Sequence, residues 1–187
     1  MAFSGKKTVL LELDMRKPQL AKTLGLLQTH AGISDFLNDK AVLNNIIQKS
    51  GIEPNLDFIG CGEPIRNPSE LLERKQLEDL ISALRNVYDV RIIDSPPVRL
   101  VSDGIIVSRL TDINLYIIRQ GITEKKEFGF IQQLVDEDLV PEMHIVFNGI
   151  ERVRYGYGYN YDNTDYYQSN NKQYGGKSIF SDFYQRF

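Results

Sequence analysis

Two short stretches carry residue types that suit metal-assisted phosphate chemistry. Leu10–Pro18 reads LLELDMRKP: an apolar run, Thr8–Leu13, is followed at once by Asp14 and two positions later by Arg16. Tyr88–Val98 reads YDVRIIDSPPV: a second apolar run ends in Asp94 and is closed by Ser95-Pro96-Pro97. Carboxylate oxygen is the natural ligand of Mg²⁺, usually through retained waters. The two prolines fix the backbone after Asp94 and remove two N–H donors. Taken singly, each acid also fits an ordinary turn after a strand. Two acid-ended apolar runs in one chain, the second closed by Ser-Pro-Pro, favour a shared site.

The elements that must position these groups follow from hydrophobic spacing. Thr8–Leu13, Leu56–Gly60, Val90–Asp94, Ile113–Arg119 and His144–Asn148 are short, nearly continuous apolar runs, the pattern of strands buried on both faces. Asn67-Pro68-Ser69-Glu70 offers a helix start with Pro at the first position. Leu77, Leu80, Ile81, Leu84, Val87 and Tyr88 continue it at helical spacing. Ser102–Leu110 and Glu124–Asp136 read as further helices, Asp35–Leu37 and Val42–Gln48 as short helical pieces, and Met1–Gly5 as a last helical turn closed by glycine. Strands alternating with helices predict an α/β fold, a mostly parallel sheet with helices on both faces. Ligands of such sheets bind beyond the carboxyl ends of the strands. Asp14, Asp94, Ser95, Arg119 and Asn148 all fall at such ends.

Composition narrows the class and divides the chain. The 187 residues have a net charge of −3, which gives no reason to expect a nucleic-acid partner. A single cysteine, Cys61, excludes an internal disulfide and a cysteine zinc cluster, and reads as a small packing residue. No apolar run approaches the ~18 residues of a membrane span. Eight of the ten tyrosines lie beyond residue 150: Tyr155, Tyr157, Tyr159, Tyr161, Tyr166, Tyr167, Tyr174 and Tyr184. Gly, Asn, Asp, Gln and Ser separate them, with few aliphatics to offset the entropy of ordering. A globular body over 1–150 and a flexible tail over 151–187 are expected.

Together these stretches resemble the bacterial tyrosine kinases of capsule and exopolysaccharide biosynthesis, a branch of the deviant-Walker P-loop ATPases. LLELDMRKP resembles their second Walker A-like motif, IIDSPPV their Walker B motif, and RNPSELLE a signature between the two. The tail resembles their autophosphorylation cluster. The resemblance implies ATP and Mg²⁺ as cofactors, with Asp94 and Asp14 in the metal sphere and Asp14 orienting an attacking tyrosine hydroxyl. It implies a base-contacting role for Asn148 and a phosphate or inter-subunit contact for Arg16. The phosphoacceptors would be Tyr155, Tyr157, Tyr159, Tyr161, Tyr166, Tyr167 and Tyr174. It further implies a homo-oligomeric ring, a membrane-embedded polysaccharide co-polymerase portion in the same chain or a partner, and placement at the cytoplasmic face of the bacterial inner membrane.

Two departures qualify the expectation. The first acid of the Asp-x-Asp-x-Arg pattern is Glu12, one methylene longer; it is a candidate metal group that either reaches a magnesium-bound water or faces elsewhere. No G-x-x-x-x-G-K-[ST] loop occurs, and Gly175-Gly176-Lys177-Ser178 has the wrong spacing. The simplest expectation is that the loop, with its strand and most of its helix, lies upstream of this chain, which alone binds ATP weakly or not at all. An inactive, tyrosine-phosphorylated scaffold and a partitioning-type ATPase are the alternatives; Ser-Pro-Pro and the tail speak against the second.

Overall fold

The computed structural model describes residues 1–26 and 31–150; the tyrosine-rich segment, with its phosphoacceptor candidates, lies outside the described residues. Thirteen elements are described: β1 Thr8–Glu12, α1 Leu20–Thr23, α2 Ile33–Leu37, α3 Leu43–Ile46, β2 Gln48–Lys49, β3 Leu56–Ile59, α4 Pro68–Leu72, α5 Lys75–Arg85, β4 Val90–Asp94, α6 Asp103–Ser108, β5 Asn114–Arg119, α7 Glu127–Asp136 and β6 Met143–Asn148. A short 3-10 turn over Ala2–Ser4, closed by Gly5 at φ 81°, stands where a helical end was expected.

The strands form two sheets rather than the single sheet expected. One has the order β2-β3-β1-β4, with β3, β1 and β4 parallel and the two-residue β2 antiparallel at its edge. The other pairs β5 with β6 in parallel from Asn114↔Met143 to Arg119↔Asn148. No ladder joins β4 to β5 among the described residues. Both strands have apolar sequences, yet hydrogen bonding is satisfied on one side only.

Side-chain alternation divides the faces of β1. Val9, Leu11 and Leu13 are fully buried in a core with Ile33, Leu37, Ile46, Leu72, Leu77, Leu80 and Leu84. On the other face Leu10 is half-buried, and Ile92, its partner in register on β4, is exposed. In the second sheet Leu115 and Ile117 are 62% and 63% exposed, and Ile145 and Phe147 are also open. The expectation of strands buried on both faces fails there because no described element covers those residues.

The single long helix expected from Pro68 onward is two helices. Arg74 leaves the helical region (φ −73°, ψ 148°), and its Nη1 donates to Leu37 O and Asn38 Oδ1. Tertiary hydrogen bonds thus break a spacing that is locally helical throughout. Of the two body tyrosines, Tyr88 is buried, and its hydroxyl donates to Asp57 Oδ2 at 2.8 Å. No helix among the described residues is long and apolar enough to cross a membrane.

Candidate nucleotide and metal site

The parallel register of β1 and β4 brings the two acid motifs together. Glu12 is the register partner of Asp94, and Leu13 N–H donates to Asp94 O at 2.8 Å, extending the ladder one residue. Asp14 and Asp94 therefore sit at the carboxyl ends of adjacent strands. Asp14 closes a turn on itself: its Oδ1 accepts from the N–H groups of Arg16 (3.2 Å) and Lys17 (3.0 Å). No hydrogen bond to the Asp94 carboxylate is found among the described residues. Burial, then the negative charges of Asp14 and Glu12, push its pKa up to about 6.

This donor set fits a hard divalent cation. The described residues hold no group of three or more His, Cys, Asp or Glu ligands for a metal. Mg²⁺ needs none, since it is commonly held by one or two carboxylates with waters and substrate phosphates completing the octahedron. Asp94, repelled by two neighbouring carboxylates and accepting no hydrogen bond among the described residues, has the electrostatic character of a cation ligand.

Glu12 is engaged by the backbone. Its side chain is buried, and Oε1 accepts from Leu20 N–H at the start of α1, so that oxygen is committed to a backbone donor. Arg16 is engaged within the chain. Nε and Nη2 fork onto Asp103 at 2.8 and 3.1 Å, and Nη2 also donates to Ser69 Oγ at 2.8 Å. Asn148 ends β6 opposite Arg119, in the other sheet from Asp94, and its Oδ1 accepts from Gly149 N–H. Arg119 packs its side chain close to Gly149, whose positive φ of 66° suits glycine.

Sequence reasoning undervalued Cys61. It is buried as expected for packing, but its thiol donates to the carbonyls of Glu12 (3.1 Å) and Asp14 (3.6 Å), behind the acid-bearing turn. The loop carrying it lies tight against Gly32: a Cβ there would meet Gly62 N at 2.2 Å. The only sequence hint was the Gly60-Cys61-Gly62 triplet. Burial, followed by the charges of Glu12, Asp14 and Asp94, raises the thiol pKa far above its usual range. Cys61 is therefore expected to react with a disulfide reagent at least roughly 100-fold more slowly in the native chain than in guanidinium. Equal rates in a thiol-release assay would contradict this placement.

No protein-family model matches the chain. Among curated proteins it is similar to the tyrosine-protein kinase ptk of Acinetobacter johnsonii, 34% identical over 157 residues, covering 84% of this chain and 21% of that protein. It is also similar to the tyrosine-protein kinase YwqD of Bacillus subtilis, 30% identical over 159 residues, covering 84% of this chain and 66% of that protein. Among solved structures, the kinase domain of the Escherichia coli tyrosine kinase ETK superposes with a TM-score of 0.73 at 30% identity, covering 86% of this chain and 62% of that one. The MinD cell division protein of Aquifex aeolicus, at 20% identity and a TM-score of 0.62, shares the fold. The chain thus spans about a fifth of ptk and under two thirds of the ETK domain.

Proposed function

The chain belongs to the bacterial tyrosine-protein kinases, and from that premise we propose that it forms the greater part of an ATP-dependent autokinase domain, completed by a strand, phosphate loop and helix from outside these 187 residues. In that domain Asp94 holds Mg²⁺. Asp14 lies beside the ion and orients a tyrosine hydroxyl towards the γ-phosphorus. Bound Mg²⁺ neutralises charge on the transferring phosphoryl group. The acceptors are the tail tyrosines of a neighbouring subunit, and Asn148 contacts the base. The complete protein serves a membrane-embedded polysaccharide co-polymerase in capsule or exopolysaccharide export.

One observation carries the reading: two carboxylates at the ends of adjacent parallel strands, one accepting no hydrogen bond and both close enough for the charge of one to raise the pKa of the other. The incompleteness has separate support. The unpaired edges of β4 and β5 and the open face at Leu10 and Ile92 are what a sheet lacking one strand and one covering helix presents. The sequence holds no loop to cradle β- and γ-phosphates, whose backbone N–H groups supply much of the electrostatic stabilisation in related enzymes.

A thermal-shift titration with Mg·ATP tests it. The 187-residue chain alone is expected to show no saturable stabilisation at micromolar nucleotide. The same chain with a glycine-rich strand–loop–helix segment fused ahead of Met1 shows it, and incorporates phosphate on tyrosine. Micromolar binding by the chain alone would refute the incompleteness. A fused domain that binds ATP without phosphorylating tyrosine would refute the kinase reading in favour of a scaffold.

A further inference from the structure

The metal site alone does not account for Arg16, whose guanidinium is taken up within the chain by Asp103 and Ser69. Its partners join three separate parts of the chain. Asp103 is the first residue of α6, the helix that follows the Asp94-Ser95-Pro96-Pro97 loop, and its side chain is fully buried. Ser69 lies in α4, within the Asn-Pro-Ser-Glu stretch, and donates to Asp103 Oδ1 at 2.6 Å. Arg16 itself is two residues from Asp14 and contributes its N–H to the turn that holds Asp14 Oδ1. A buried carboxylate is costly unless paired and hydrogen-bonded. Here it is met by a bidentate guanidinium and a hydroxyl, the strongest kind of polar pairing available to it.

We propose that Arg16, Asp103 and Ser69 form a latch that fixes the turn bearing Asp14 against the segment following Asp94, so that the two carboxylates are held at one separation before any ion or nucleotide arrives. The latch rests on the metal reading above for its purpose, but not for its existence. Asp103 and Ser69 are positioning residues: neither touches the reacting atoms, and each acts through Arg16. Burial by itself would raise the Asp103 carboxyl, but the hydrogen bonds from Arg16 and Ser69 and the Arg16 charge hold it below its ordinary value. It therefore stays ionised and paired throughout the neutral range.

The test uses the ¹⁵N-labelled chain, Mn²⁺ as a paramagnetic probe, and D103N, S69A and S69T. In D103N the amide order parameters of Arg16 and Lys17 are expected to fall from about 0.85 to below 0.6, while those of Val9–Leu11 hold. Mn²⁺ affinity, read from broadening at Asp14 and Asp94, is expected to fall roughly 10–100-fold, the range for losing a partner that orients a metal ligand. S69A gives a smaller loss in the same direction, and S69T, which keeps the hydroxyl, restores wild-type values. S69A also decides the matter if D103N fails to fold. Unchanged order parameters in a folded D103N or S69A would overturn the latch. So would a loss of affinity in R16Q with none in D103N, which would show that Arg16 acts without Asp103. A wild-type chain that binds no Mn²⁺ would sink the metal reading instead, and the order parameters would still decide the latch.

Discussion

In a completed kinase domain, replacing Asp94 with Asn lowers tyrosine autophosphorylation by roughly 10²–10³-fold, the scale on which one preorganised electrostatic contact to developing charge is lost. Asn keeps the shape and an oxygen but not the charge that a divalent ion requires. The loss should lie in the phosphoryl-transfer step, because transfer depends on positioning and charge neutralisation rather than on covalent chemistry by the protein. The metal-free chain makes the effect separable from folding. The folded-state pKa of Asp94 is raised from 3.8 to about 6, so at neutral pH its ionised form penalises the folded state, and that penalty disappears as pH falls from about 6 to about 4. D94N should therefore melt no lower than wild type at pH 7.5, and the difference between them should close by pH 4. In the active domain the sign reverses for function: a proton competes with Mg²⁺ for Asp94, and because the bound cation favours the ionised carboxylate, wild-type activity falls on an acid limb below about pH 6. Activity measured from pH 5 to 8, beside melting curves of both proteins, checks both halves. A D94N domain within threefold of wild-type activity would remove Asp94 from the metal sphere.

Fusing a strand–loop–helix segment ahead of Met1 raises the melting temperature by about 10 °C or more. Ile92, Leu115, Ile117, Ile145 and Phe147 are large and exposed around the two open edges. Burying each fully is worth about 1.5–3 kcal/mol. Ordering an added segment takes back much of that, at about 1–2 kcal/mol of backbone entropy per residue, so a net gain of a few kcal/mol is the reasonable outcome. In a domain of this size each kcal/mol moves the midpoint by about 2–4 °C. The comparison is a melting curve of the chain against the fused domain without nucleotide. An Ile117→Asp substitution in the fused domain should cancel most of the gain while doing little to the chain alone, where Ile117 faces solvent. A fused segment that leaves the midpoint unchanged would show that β4 and β5 do not flank it.

What was legible in the sequence was whatever has a local signature. Buried parallel strands are continuous apolar runs, so β1, β3, β4, β5 and β6 were visible, and with them the acids at their ends. The register of β1 against β4 has no such local signature, because the pairing joins strands far apart in the chain. The two-residue β2 has too little length to register as a pattern. The break between α4 and α5 leaves no mark, because Arg74 is drawn out of helical geometry by Leu37 and Asn38, nearly forty positions earlier. The pairing of Arg16 with Asp103 spans 87 positions, and a charged residue in a helix's first turn says nothing about which guanidinium will find it. Nor could apolar spacing show that the sheet is divided, since β4 and β5 read alike whether or not a strand lies between them. The longer arm of Glu12 is plain in the sequence, but its capture by Leu20 N–H depends on where α1 returns.

The two margins of the larger sheet are guarded unequally. At one end the short antiparallel β2 carries Lys49, paired with Asp57 at 2.8 Å, and a stub ending in a charge offers a second chain little to template on. At the other, β4 has no strand partner on its outer side among the described residues and carries the exposed Ile92, and β5 too is paired on one side only. Concentrating this polypeptide by itself thus invites copies to zip together margin to margin, and low turnover in such a preparation would report on clumping as much as on chemistry.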